Sequence, residues 1–137
     1  MAGETNLIAN MANVSAILFN QLEQVNWAGF YLLEQQELVL GPFQGQPACV
    51  RIQLGAGVCG TCVTTEQPQL VADVHQFDGH IACDAASNSE LVIPIMVEQK
   101  CIGVLDIDSP IYDRFDQQDL TAMTCLVDKL VAACFSH

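Results

Sequence analysis

The segment GHIACDAASNSE, Gly79 to Glu90, places a histidine, a cysteine and two carboxylates among small polar residues with almost no bulk. It has neither helical nor strand periodicity and buries little apolar surface, so packing does not explain it. A thiol in such a polar loop is poor filler, which makes Cys83 a candidate for chemistry. Cys59 is a second candidate. It follows Gly57 at the expected start of a helix, where terminal amide dipoles favour a thiolate. With Cys62 it forms a C-x-x-C, the pattern of a redox pair or of half a zinc site, to which His75, His80 and Cys49 could add ligands. No second tight ligand pair is present, so no metal is expected. Cys101, Cys125 and Cys134 lie in apolar surroundings and read as core filler.

Carboxylates form the other constellation. Strand side chains alternate, so in VLDIDS the residues Leu105 and Ile107 face one way and Asp106 and Asp108 the other. In SELVIP, Leu91, Ile93 and Ile95 form one set and Glu90 lies with Val92 on the opposite side. Charges on a strand usually serve solvation, but these sit in strongly apolar strands. If the three converge, repulsion keeps one protonated near neutrality or the cluster attracts a cation such as an ammonium group. Trp27 and Tyr31 share a face, and Gly29 between them leaves a gap for a ligand. An aromatic beside carboxylates suits an amine with an apolar tail.

These residues need a scaffold. Apolar positions from about Glu4 to Val25 follow a helical period, and WAGFYLLE and ELVLGPF read as a hairpin ended by Gly41 and Pro42. ACVRIQL predicts a strand, GAGVCGTCVTTEQ a short helix and QLVAD a brief strand. After a long loop, SELVIPIMVEQKCIGVLDIDSP predicts two strands turning near Gln99 and Lys100. Asp116 is a plausible N-cap, with Asp119 in the first turn, for a helix to about Phe135. The order favours an α+β fold with helices packed on an antiparallel sheet, one domain over residues 1–137. The last helix is apolar nearly all round, so its excess face suits a partner subunit in a homodimer.

Composition sets the bounds. A chain of 137 residues can bury roughly two-thirds of its unfolded surface in one core. Sixteen acidic residues against four basic ones give a formal charge of −12, a field that repels nucleic acid and anionic membranes. No apolar run approaches the length of a membrane span, and MAGETNLIAN lacks the basic and apolar regions of a secretory signal. The chain is therefore expected in the cytoplasm, where its seven cysteines are free thiols by default.

The blocks NWAGFYLLE, LVLGPFQG, ACVRI, GVCGT, DVHQFDGHIACDAASNSE and IGVLDIDSP, in this order and spacing, closely resemble the free methionine-(R)-sulfoxide reductases over almost the whole chain. The resemblance implies the GAF fold, a six-stranded antiparallel sheet flanked by helices. It implies that Cys83 is the nucleophile, Cys49 the resolving thiol and Cys59 the family's third cysteine. Glu90, Asp106 and Asp108 match acidic substrate-binding positions, and Trp27 and Tyr31 an aromatic pocket. Glu90 or Asp108 would supply the proton that the departing oxygen needs. Cys83 would be left as a sulfenic acid that condenses to a disulfide, reduced in turn by an external dithiol such as thioredoxin, with no bound cofactor. Cys62 stands where members often carry a small non-thiol residue, so a Cys59 to Cys62 bridge could compete. The chain also begins where other members have a further N-terminal segment, which leaves the pocket less covered or the start truncated. The rival reading is a non-catalytic GAF module that senses a small ligand.

Overall fold

The computed structural model describes residues 1–79 and 86–135. Helix α1 (Leu7–Gln21) is followed by strands β1 (Trp27–Glu34), β2 (Glu37–Gly45) and β3 (Arg51–Gln53), helix α2 (Gly57–Thr65), strand β4 (Gln69–Val71) and a short 3-10 turn over Val74–Gln76. Strands β5 (Ser89–Val97) and β6 (Lys100–Ser109) and helix α3 (Gln117–Phe135) complete the chain. The six strands form one antiparallel sheet in the order β3-β2-β1-β6-β5-β4. This is the α+β architecture expected from the sequence.

Both long helices start where capping chemistry allows. Asn6 accepts from the Ala9 amide at the head of α1. Asp116 and Asp119 accept each other's backbone N–H at the head of α3, the reciprocal arrangement of a capping box. The β1–β2 turn falls on Gln35 and Gln36, both in the left-handed region with φ 51° and 69°. One boundary differs from expectation: β2 does not end at Gly41 and Pro42 but runs on to Gly45. The ladder to β1 shifts register there, from Tyr31 opposite Leu40 to Gly29 opposite Phe43, so Gly41 and Pro42 fall in a bulge where the missing proline N–H costs no ladder bond.

Strand alternation divides the apolar residues between two cores. Leu91, Ile93, Ile95, Leu105 and Ile107 join Met11, Val14 and Leu18 of α1 and Val127 and Leu130 of α3 on one side of the sheet. On the other side, Trp27, Tyr31, Val92 and Val104 join Val58, Cys59, Cys62 and Val63 of α2. Helix α3 uses much of its apolar surface on its own sheet, burying Val127 and Leu130 and half-burying Met123, Leu126 and Val131, while Ala122 and Cys125 stay exposed. Among the described residues no helix is long and apolar enough to cross a membrane.

Candidate active site

Three neighbouring strands align the acidic residues in rows. Across β1, β6 and β5, Trp27 lies opposite Asp108, and Asp108 opposite Glu90; in the next row Gly29 lies opposite Asp106, and Asp106 opposite Val92. The three carboxylates thus converge on the face that α2 covers. Cys59, in the first turn of α2, completes the cluster with its thiol 3.3 Å from Asp106 Oδ2 and 3.9 Å from Glu90 Oε2.

Burial decides the protonation of this cluster. Glu90 is 9% exposed and Asp106 5%, so neither carboxylate is solvated as on an ordinary sheet face. Burial, then the charges of Asp106 and Asp108, and then hydrogen bonds to both push the Glu90 carboxyl well above its ordinary range. The surroundings therefore favour its protonated form over a third buried charge. The expectation of a dipole-stabilised thiolate at Cys59 is overturned for the same reason: burial foremost, then Asp106, Glu90 and Asp108, hold its thiol well above the ordinary value. The Cys59 thiol donates a hydrogen bond to Asp106. Asp106 Oδ1 is buried without a hydrogen-bond partner among the described residues, an acceptor left over in the cluster.

The aromatic residues adjoin this cluster, and both are buried. Trp27 and Tyr31 are each 2% exposed. Their rings stack at 6.0 Å between centroids, and Trp27 stacks on Phe43 at 5.2 Å. The gap expected at Gly29 is filled, since a Cβ there would lie 2.3 Å from Phe43 Cβ and 2.9 Å from the tip of the Trp27 ring. Trp27 Nε1 donates to the Gln46 carbonyl at 3.1 Å, and the Tyr31 hydroxyl donates to the Cys49 carbonyl at 2.8 Å.

Cys49 is disulfide-bonded. Cys59, Cys62, Cys101, Cys125 and Cys134 are free thiols, so no Cys59 to Cys62 bridge forms here. Cys83, together with His80, lies outside the described residues. Both flanks of the opening segment are tied down by residues that sequence reading missed. The Gly57 amide at the head of α2 donates to the Gly79 carbonyl. On the other flank Asn26 Nδ2 donates to Ser87 Oγ, the Asn88 amide to the Ser109 carbonyl, and Ser89 Oγ to the Ile111 carbonyl. Only the density of Asn and Ser in AASNSE hinted at such anchoring.

A family model described as GAF domain matches residues 6–134. The chain is 58% identical over 135 residues to the free methionine-R-sulfoxide reductase of Escherichia coli (strain K12), covering 96% of this chain and 82% of that protein. The chain belongs to the free methionine-R-sulfoxide reductase family. Solved structures agree. The reduced form of fRMsr of Staphylococcus aureus superposes with a TM-score of 0.90 at 59% identity, covering 93% of this chain and 82% of that one. The free methionine-R-sulfoxide reductase from Neisseria meningitidis, solved in complex with its substrate, gives 0.91 at 43% identity, covering 94% and 78%.

Family membership leaves the question of cations in the acidic cluster to its donor set. Cys59, Glu90 and Asp106 offer ligand atoms within 4.8 Å of one another, the one such group among the described residues. It is not the zinc site considered from the cysteine spacing. Cys62 Sγ points instead to the Val92 carbonyl, His75 pairs with Asp73 at 3.1 Å on the surface, and Cys49 is already bonded.

Proposed function

We propose that this chain reduces free methionine (R)-sulfoxide to methionine, with Cys83 as nucleophile and Cys49 as resolving thiol. The observation that carries the reading is the buried carboxylate cluster, in which burial beside Asp106 and Asp108 raises the Glu90 carboxyl in the same cross-strand row as Trp27. An acid that keeps its proton at neutral pH is what departure of a sulfoxide oxygen requires. Buried carboxylates with a spare acceptor at Asp106 suit the ammonium group of a free amino acid. A methionine within a peptide has no such ammonium, so the same cluster excludes it.

In this mechanism the Cys83 thiolate attacks the sulfoxide sulfur while Glu90 protonates the oxygen. The new bond between the two sulfurs and the S–O bond to methionine then break as the hydroxyl passes to the Cys83 sulfur, releasing methionine and leaving Cys83 as a sulfenic acid. Cys49 then attacks that sulfur, water leaves, and a disulfide forms. Support for Cys49 over Cys59 and Cys62 comes from its bonded state and from their free, deeply buried thiols, both held far above the range of a reactive cysteine. An external dithiol of the thioredoxin type closes the cycle with no bound cofactor. We place the reaction in the reducing cytoplasm, and the exposed Ala122 and Cys125 side of α3 is the surface left for a second copy in a homodimer.

The test is a thioredoxin-coupled assay with both diastereomers of the free sulfoxide. Turnover of the R form by the wild type and its abolition in Cys83→Ser are expected; retained turnover in that variant overturns the assignment.

A further inference from the structure

The polar tips of Trp27 and Tyr31 converge on one short piece of chain. Gln46 and Cys49, whose carbonyls they bond, both lie in the connection from β2 to β3, which carries the bonded cysteine. Both donors come from β1, a strand paired on each side within the sheet. Each donor is also the end of a ring that cannot swing, since the Tyr31, Trp27 and Phe43 rings lie stacked at 25° and 14° to their neighbours. The connection is shaped to this support. Gly45 has φ +134°, and a Cβ there would lie 2.7 Å from Trp27 Cδ1, so only glycine lets the chain pass this close to the indole. Beyond Cys49 the Val50 carbonyl is held by the Leu40 amide at 2.9 Å.

We infer that Tyr31 and Trp27 are positioning residues for the resolving cysteine, holding the 46–49 connection against the sheet through two hydrogen bonds to its backbone. The inference rests on the proposed function and deepens it. A resolving thiol must reach a sulfenic acid before other thiols or water-borne oxidants do, and a segment of surface chain without anchors samples many positions. Two bonds from rigid rings reduce that sampling through the backbone, without engaging the Cys49 sulfur. Burial, then Asp106, Cys59, Asp108 and Glu90, raise the Tyr31 phenol far above its ordinary range, so its proton stays available for the carbonyl throughout the working pH.

The experiment separates formation of the sulfenic acid from its resolution. Wild-type protein, reduced and freed of reductant, is mixed with one equivalent of free methionine (R)-sulfoxide in the presence of dimedone, which traps sulfenic acid as a covalent adduct. Methionine release, disulfide formation and adduct mass are followed in time. The wild type should release one methionine per chain and form the disulfide with little adduct. Tyr31→Phe, which removes only the hydroxyl, should accumulate the Cys83 adduct and form the disulfide about tenfold more slowly, the loss expected of one hydrogen bond near the upper end of its usual worth. A role in packing alone would slow methionine release without diverting Cys83 to dimedone. Disulfide formation in Tyr31→Phe at the wild-type rate with no added adduct overturns the inference. Trp27→Phe, which loses the bond to Gln46 together with part of the indole packing, carries the same readout of adduct against disulfide should Tyr31→Phe fail to fold. A wild type that releases no methionine overturns the proposed function instead.

Discussion

Glu90 is where the cost of the site is concentrated. Its carboxyl keeps a proton in the folded chain at pH values where the unfolded chain has released it, because burial and the charges of Asp106 and Asp108 disfavour a third charge. A raised carboxyl value means that the folded state binds more protons as pH climbs past about 4.3, the unfolded value, so stability falls with rising pH. The Glu90 contribution is fully present below that value and is lost as pH rises through the folded one. Glu90→Gln removes the titration and keeps the shape. It is expected to melt higher than the wild type at pH 7, by roughly 3–6 °C for each kcal/mol recovered, with the difference closing as pH falls to about 4. Calorimetric scans across that range check it. The same variant should lose roughly 10²–10⁴ in kcat, the usual worth of a positioned acid. A variant both less active and no more stable at pH 7 would show that Glu90 is ionised in the folded chain.

Close strand packing underlies the alignment of the acidic rows. Gly103 of β6 sits where an added Cβ would lie 2.3 Å from the Tyr31 carbonyl, a backbone atom of the neighbouring strand that cannot yield. Gly103→Ala should therefore push β6 from β1 and cost about 1–3 kcal/mol, read as a lower urea midpoint at unchanged slope. Activity should fall further than stability, because Asp106 and Asp108 ride on the displaced strand. The convergence of Glu90, Asp106 and Asp108 was legible in the chain because a period of two assigns faces without knowledge of the partner strands. The hairpin turn at Gln35 and Gln36 and the cap at Asp116 were legible for similarly local reasons. Longer-range effects were not. Whether β2 stops at Pro42 depends on the bulge opposite Phe30, and the state of Cys59 depends on α2 lying over carboxylates more than thirty residues away in sequence. At Cys59 a helix-end dipole and desolvation oppose each other, and full burial lets desolvation win. The bond from Tyr31 to Cys49 belongs to the same class, since nothing in either local pattern announces it.

The whole molecule is strongly acidic. Against a formal charge of −12, the ion pairs among the described residues are Arg51 with Glu37, His75 with Asp73 and Arg114 with Asp119. These are surface pairs of small individual worth, and the remaining carboxylates repel one another across the surface. That repulsion is long-ranged in dilute buffer, where the screening length is about 30 Å at 0.01 M salt, and is cut to about 10 Å at 0.1 M. Adding sodium chloride from 0.01 to 0.5 M at pH 7 should therefore stabilise the fold, with a rise in Tm of roughly 3–6 °C if about 1 kcal/mol of repulsion is removed. Catalysis should respond differently. A free amino acid is a zwitterion with no net charge, so the surface field neither attracts nor repels it, and the carboxylates proposed to seat its ammonium are buried and weakly screened. Over the same salt range kcat/KM for the free sulfoxide should change by less than about twofold while Tm climbs. Steady-state assays run beside the melting scans decide it. A steep fall of kcat/KM with salt would mean that the ammonium is held by exposed charge rather than by the buried cluster of Glu90, Asp108 and Asp106.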